Sequence, residues 1–256
     1  KDQLVLILSE DTGKPLWESE TEVKAMIAKL AVSIKAYHTR CGELKKSLGS
    51  QEAITRFRPH GVMGVLGPFN FPAHIPNGHI IPALLAGNTV VYKPSELTPY
   101  VSEFICSLWE KVGLPPGVFN MLQGGQLVGQ ALAVHPDLDG LCFTGSSLVG
   151  HHLSVLFGRH PEKILALEMG GNNPLVVSQV KDIMAAVYTT IQSAFITAGQ
   201  RCTSARRLIV VENQKTNLFL DTLIDTVSSL KVGPFTDSPE PFMGPVISRD
   251  ALRHCL

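Results

Sequence analysis

The chain has 256 residues, of which 45% are hydrophobic and 17% charged, with 22 Lys+Arg against 22 Asp+Glu. That apolar content excludes a disordered chain and supplies a core for one large domain or two ordinary ones. Zero net charge argues against nucleic acid or an anionic membrane as partner, and no apolar run reaches the ~18–20 residues of a membrane-spanning helix.

In chain order, Val23, Met26, Ile27, Leu30, Ile34 and Tyr37 follow helical spacing and predict a helix over roughly 19–40. Ala53, Thr55 and Phe57 alternate with Glu52, Arg56 and Arg58, which predicts a half-exposed strand over 52–58, pairing outside any main sheet. From Gly61 onward the rhythm becomes regular. A buried strand at 62–66 ends on Gly67-Pro68, and a helix at 79–86 takes Asn77 as its N-cap and stops at Gly87. A strand at 89–92 follows, then a helix from the Thr98-Pro99 start signal to near Gly113. Further short strands are predicted at 118–122, 141–143, 164–167, 175–177 and 208–211. Helices at 126–134, 146–158, 182–198 and 216–230 separate most of them.

Strands alternating with helices imply βαβ units and a mostly parallel sheet covered on both faces, so the fold class is α/β. A (β/α)8 barrel competes on length. The strand-like stretch at 52–58 and the helix-free step from 164–167 to 175–177 break barrel regularity and rank it second. In open parallel sheets ligands bind beyond the carboxyl ends of the strands, and several unusual residues stand there.

Cys202, in Ala-Gly-Gln-Arg-Cys-Thr-Ser at 198–204, sits between a long apolar helix and a strand. It reads either as a buried structural cysteine or as a nucleophile whose thiolate the adjacent Arg201 favours. Glu168 ends an apolar strand before Gly170-Gly171; it either caps a turn or, partly desolvated, acts as a general base. Phe-Thr-Gly-Ser-Ser-Leu-Val-Gly at 143–150 is a strand–turn–helix whose helix N-terminus suits a pyrophosphate, or an ordinary βα turn. Lys93 and Glu96, after the strand at 89–92, form a solvated loop or meet a nucleotide's ribose, where a glutamate would favour NAD over NADP. Asn70, between prolines and phenylalanines at 67–72, bonds local backbone or donates to an oxyanion.

The histidines at 74, 79, 135, 151, 152 and 160 lack metal-ligand spacing, and no metal site is expected. The five cysteines, Cys41, Cys106, Cys142, Cys202 and Cys255, form no C-x-x-C pair and suit a reducing, cytoplasmic compartment. The chain begins at Lys1 without a Met, and neither end reads as that of a finished protein.

Five motifs in order, at 67–72, 93–96, 143–150, 167–171 and 199–202, resemble the aldehyde dehydrogenase superfamily, as does the 34-residue interval from Glu168 to Cys202. The resemblance runs from about residue 15 to the end. Wording at 12–18, 33–38, 57–61 and 76–87 points to one branch of it. So does the Asn172-Asn173 pair, where most relatives resemble Gly-Gly-Lys-Ser-Pro.

The resemblance implies a Rossmann-like parallel-sheet NAD-binding domain of the aldehyde dehydrogenase fold at 1–169, followed by the start of the catalytic α/β domain at 170–256. A β-segment at about 45–58 would pair between subunits of a homodimer or higher homo-oligomer. Cys202 would attack a small-molecule aldehyde, with Asn70 and the Cys202 N–H holding the oxyanion, and Glu168 would activate water. NAD would lie against Lys93, Glu96, Gly145, Ser146, Ser147, Leu148, Val149 and Gly150. The family's later segment, with a Glu-Ile-Phe-Gly-Pro-type motif, has no counterpart here, so this stretch alone is expected to turn over negligibly. Two other readings stand beside this one: an acyl-phosphate or acyl-CoA reductase of the same fold, and a nucleotide-binding module without activity.

Overall fold

A computed structural model describes residues 1–255. Two helices lead, α1 (Asp2–Thr12) and α2 (Leu16–Arg40), followed by a hairpin of β1 (Leu44–Leu48) and β2 (Gln51–Thr55). The repeating part comprises β3 (Val62–Leu66), α3 (His74–Leu85), β4 (Thr89–Lys93), α4 (Pro99–Lys111), β5 (Phe119–Met121), α5 (Gln126–Ala133), β6 (Gly140–Gly145), α6 (Ser147–Phe157) and β7 (Ile164–Met169). Then come β8 (Asn173–Val177), α7 (Ile183–Phe195), a 3₁₀ turn (Ile196–Gly199), β9 (Ala205–Val210), α8 (Thr216–Ser228) and α9 (Arg249–Cys255).

The apolar strands form one open sheet in the order β5-β4-β3-β6-β7, parallel at every pairing. The order turns back at β3, which rules out the barrel and creates the switch point where ligands of such sheets bind. Val65, Ile80, Val90 and Tyr92 pack α3 and α4 on one face, while Leu132, Leu141, Phe143, Leu153 and Phe157 pack α5 and α6 on the other. Both faces are covered, so the strands read as continuous apolar runs rather than alternating ones.

The step from 164–167 to 175–177 crosses between sheets: β7 closes the five-stranded sheet, and β8 pairs in parallel with β9. A separate core of Val177, Val187, Ile191 and Phe219 packs α7 and α8 onto that pair. The β1–β2 hairpin stands outside both sheets, with all ten strand residues exposed.

Three sequence expectations need correction. Helix α1, which had not been expected, buries Leu4, Val5 and Leu8 against α2 and α4. Helix α3 starts at His74 rather than 79, so Asn77 lies inside it and is not its cap. The cap comes from another helix: Glu22 of α2 accepts the N–H groups of Ala73 (2.9 Å) and His74 (3.1 Å). A carboxylate satisfies those otherwise free donors as well as a local side chain does. Finally, the helix expected to run to 198 ends at Phe195, because Thr197 and Ala198 adopt left-handed conformations (φ 58° and 52°).

Glu22 also pairs with Lys14 at 2.6 Å, and both side chains are buried (0% and 4% exposed). Breaking such a pair leaves an uncompensated interior charge. Glu22→Ala is therefore expected to lower stability by about 3–5 kcal/mol, read as the shift in a denaturant or thermal unfolding curve. A shift within the experimental scatter would remove the pair from the list of fold determinants.

Candidate active site

At the carboxyl ends of β3, β4, β6 and β7 opens a cleft of about 930 Å³. Its lining includes Asn70 after β3, Lys93 and Glu96 after β4, Gly145, Ser146 and Val149 at the β6–α6 turn, Glu168 on β7, and Gln200, Arg201 and Cys202 before β9. The parallel register explains the convergence. Leu66 pairs with Lys93 and with Phe143, and Thr144 pairs with Glu168, so the four strand ends lie side by side.

The Ser146 Oγ caps α6 by accepting the Val149 N–H at 3.4 Å. Ser147, Leu148 and Gly150 do not line the cleft. Leu148 faces solvent, and Gly150 lets α6 sit against Met169, whose sulfur would lie 2.3 Å from a Cβ there. The Lys93 ammonium bonds the Pro94 carbonyl (2.8 Å) and Glu96 (3.1 Å). Burial pushes the Glu96 carboxyl up, but its backbone N–H and the Lys93 charge outweigh this and hold it below its usual value.

Cys202 and Glu168 line the same cleft. Burial pushes the thiol above its ordinary range, and so does Glu168, as a nearby negative charge. The backbone N–H groups of Cys202 and Thr203 oppose the shift without reversing it. The expectation that Arg201 favours the thiolate is therefore corrected. The guanidinium turns away to Glu18 (3.0 Å), Thr197 (2.6 Å) and the Phe71 ring (4.9 Å). Glu168 Oε2 is buried with no hydrogen-bond partner in the protein.

Asn70 donates from Nδ2 to the Gln200 carbonyl at 2.7 Å, tying the β3–α3 loop to the nucleophile loop two residues before Cys202. The partner is backbone but not local, lying 130 positions away. Asn173 holds the same loop from the other side, donating to the carbonyls of Cys202 (2.7 Å) and Ser204 (3.1 Å). The left-handed Thr197 and Ala198 cost on the order of 1 kcal/mol each, and these clamps hold them in place.

Sequence reasoning missed the side chains behind the cleft: Lys14, Glu18, Glu22 and Thr197. One signal was available. Glu18 and Glu22 lie one helical turn apart on the stripe of α2 that also carries Val23, so both acids point into the core. Among the described residues no cluster of three His, Cys, Asp or Glu could hold a metal ion, and no helix is long and apolar enough to cross a membrane.

A parallel sheet with its cleft at the strand ends, and a cysteine and a glutamate lining that cleft, define a cysteine-bearing α/β protein. The chain belongs to the aldehyde dehydrogenase family, whose profile matches residues 1–256. It is 56% identical to N-succinylglutamate 5-semialdehyde dehydrogenase of Salmonella dublin, over all of this chain and 52% of that protein. It spans about half the length of the curated relatives it matches. Among solved structures it is similar to Staphylococcus aureus betaine aldehyde dehydrogenase in complex with NAD+ (TM-score 0.88, 30% identity, 97% of this chain and 49% of that one). It is equally similar to an Escherichia coli NADP-dependent enzyme (TM-score 0.88, 32% identity, 98% of this chain and 52% of that one).

Proposed function

We propose that this chain carries the NAD-binding domain (1–169) and the nucleophile-bearing start of the catalytic domain (170–256) of an NAD-dependent aldehyde dehydrogenase. The observation that carries the reading is that Cys202, Glu168 and Asn70 line one cleft at the strand ends, with Glu168 close enough to raise the thiol electrostatically. The substrate we assign is N-succinylglutamate 5-semialdehyde, oxidised to N-succinylglutamate as in arginine catabolism. Identity to the Salmonella enzymes over the whole chain supports it, as does the Asn172-Asn173 pair.

The cleft fits a dinucleotide. Its volume lies in the ~300–1,000 Å³ range of cofactor sites, a capped helix N-terminus suits a pyrophosphate, and Lys93 with Glu96 suits a ribose. Bound NAD+ supplies a hydride acceptor. The chain's own residues do the rest. The Cys202 thiol loses its proton to solvent and its sulfur bonds the aldehyde carbon, turning the carbonyl into an oxyanion. The Asn70 amide and the Cys202 N–H stabilise that charge. Once hydride has left, the carbon is a thioester on Cys202. Glu168 takes a proton from water as the water oxygen adds, and the C–S bond breaks to release the carboxylate and the thiol. A base beside the sulfur serves hydrolysis, which an acyl-phosphate or acyl-CoA reductase has no use for.

The exposed β1–β2 hairpin is our candidate for pairing between subunits of a homo-oligomer. Five free cysteines support a reducing, cytoplasmic setting.

Turnover of N-succinylglutamate 5-semialdehyde by the protein at its full native length, faster than turnover of betaine aldehyde, is the test of substrate; the reverse order refutes it. Cofactor choice is tested at Glu96. Glu96→Ala is expected to narrow the preference for NAD+ over NADP+ by about tenfold, since a half-exposed carboxylate repels a 2′-phosphate by on the order of 1 kcal/mol. An unaltered ratio of kcat/KM values would place cofactor selection elsewhere.

A further inference from the structure

Beside the cleft lies a second, small pocket of about 10 Å³, room for one water molecule, which Glu18 and Asn70 both border. Glu18 is fully buried. Its Oε1 accepts from Arg201 at 3.0 Å and from the Thr197 hydroxyl, while its Oε2 has no partner in the protein. Asn70 Oδ1 is likewise buried and unpartnered. Both orphan acceptors belong to residues bordering the one water-sized pocket, and buried polar oxygens are almost always satisfied, so a donor is called for there.

The charges say what kind of donor. Glu18 and Glu22 carry two negative charges, and Lys14 and Arg201 two positive ones. The Lys14 ammonium is already committed to Glu22 and to the Phe71 ring face, 3.9 Å away. A cation in the cavity would unbalance the cluster, whereas a water can donate one O–H to each oxygen.

We propose that Glu18 is a positioning residue for the oxyanion site. It acts on Asn70 through a single water bound between the two side chains, and on Cys202 through Thr197 and Arg201. Asn70 borders both the small cavity and the cleft. One Nδ2 hydrogen is taken by the Gln200 carbonyl, so a water holding Oδ1 would fix the amide and leave the other Nδ2 hydrogen for the cleft. Thr197 and Arg201 hold the loop that carries the Cys202 N–H, so one buried carboxylate sets both donors. This inference rests on the proposed role of Asn70 and the Cys202 N–H toward the oxyanion.

A double-mutant cycle on the protein at its full native length tests it, reading kcat/KM for aldehyde oxidation alongside NAD+ affinity. Asn70→Ala is expected to lower kcat/KM by about a hundredfold, and Glu18→Gln by about tenfold to a hundredfold, both with NAD+ affinity retained. In the Asn70→Ala background the Glu18→Gln factor should shrink severalfold. Equal factors in both backgrounds overturn the positioning role while leaving the oxyanion reading intact. No effect of Asn70→Ala overturns both. A high-resolution crystal structure reads the water directly, whether or not Glu18→Gln folds. A water within hydrogen-bonding distance of Glu18 Oε2 and Asn70 Oδ1 supports the inference, and a cation or no density there overturns it.

Discussion

Cys202→Ala is expected to reduce aldehyde oxidation by about 10⁴-fold or more while NAD+ binding persists. The sulfur is the only protein atom the proposed chemistry bonds to the substrate, whereas the cofactor cleft is built by the ends of β3, β4, β6 and β7. Steady-state oxidation and calorimetric NAD+ titration of the same variant separate the two, and turnover near the unaltered rate refutes the assignment. A chemical signature accompanies it. The thiol stands above its ordinary range, so its thiolate is scarce at neutral pH. Iodoacetamide modification of Cys202 should accelerate about tenfold per pH unit as pH rises toward the thiol's pKa. Burial pushes Cys106 to about 12 and Cys142 to about 11, so neither should compete in that window. A rate independent of pH across the neutral range would mean that Cys202 is already a thiolate.

Glu168→Gln is expected to act in opposite directions on the two halves of the reaction. Removing the carboxylate deletes the negative charge that helps raise the Cys202 thiol, so its pKa falls and neutral-pH alkylation speeds up. The same change removes the base that activates water, and steady-state turnover should drop by about 10²–10⁴-fold. Pre-steady-state mixing should still show a burst of NADH, followed by slow release of the acid. If alkylation slows and the burst disappears, Glu168 serves acylation rather than hydrolysis. A structural carboxylate that only capped a turn would change neither rate in this opposed way.

Much of the five-stranded sheet was legible because it is local chemistry. Val-Met-Gly-Val-Leu at 62–66 and Thr-Val-Val-Tyr at 89–92 are short apolar runs bounded by turn residues, and α4 begins at the Pro99 its sequence announces. Gly87, with φ 83°, ends α3 as a residue without a Cβ can. The start of α3 was not legible. Its cap, Glu22, lies about fifty positions upstream in another helix, and local rules search only neighbouring residues for a cap. Arg201 misled for the same reason. Adjacency in sequence suggested that it serves Cys202, while a buried carboxylate 183 positions away takes its guanidinium.

The sequence by itself determined the α/β class, the parallel sheet, the order of the motifs and the residue types able to do the chemistry. All of these follow from apolar periodicity, turn composition and side-chain reactivity within short windows. The tertiary structure alone decided which of those groups meet. It placed Cys202 and Glu168 in one cleft, where burial first and the carboxylate's charge second raise the thiol rather than lowering it. It tied Asn70 to the nucleophile loop across 130 positions, and it gathered Glu18, Arg201 and Thr197 behind that loop. The physical reason is that electrostatics and hydrogen bonding depend on distance and burial in space, and a linear sequence specifies neither until the strands have been brought into register.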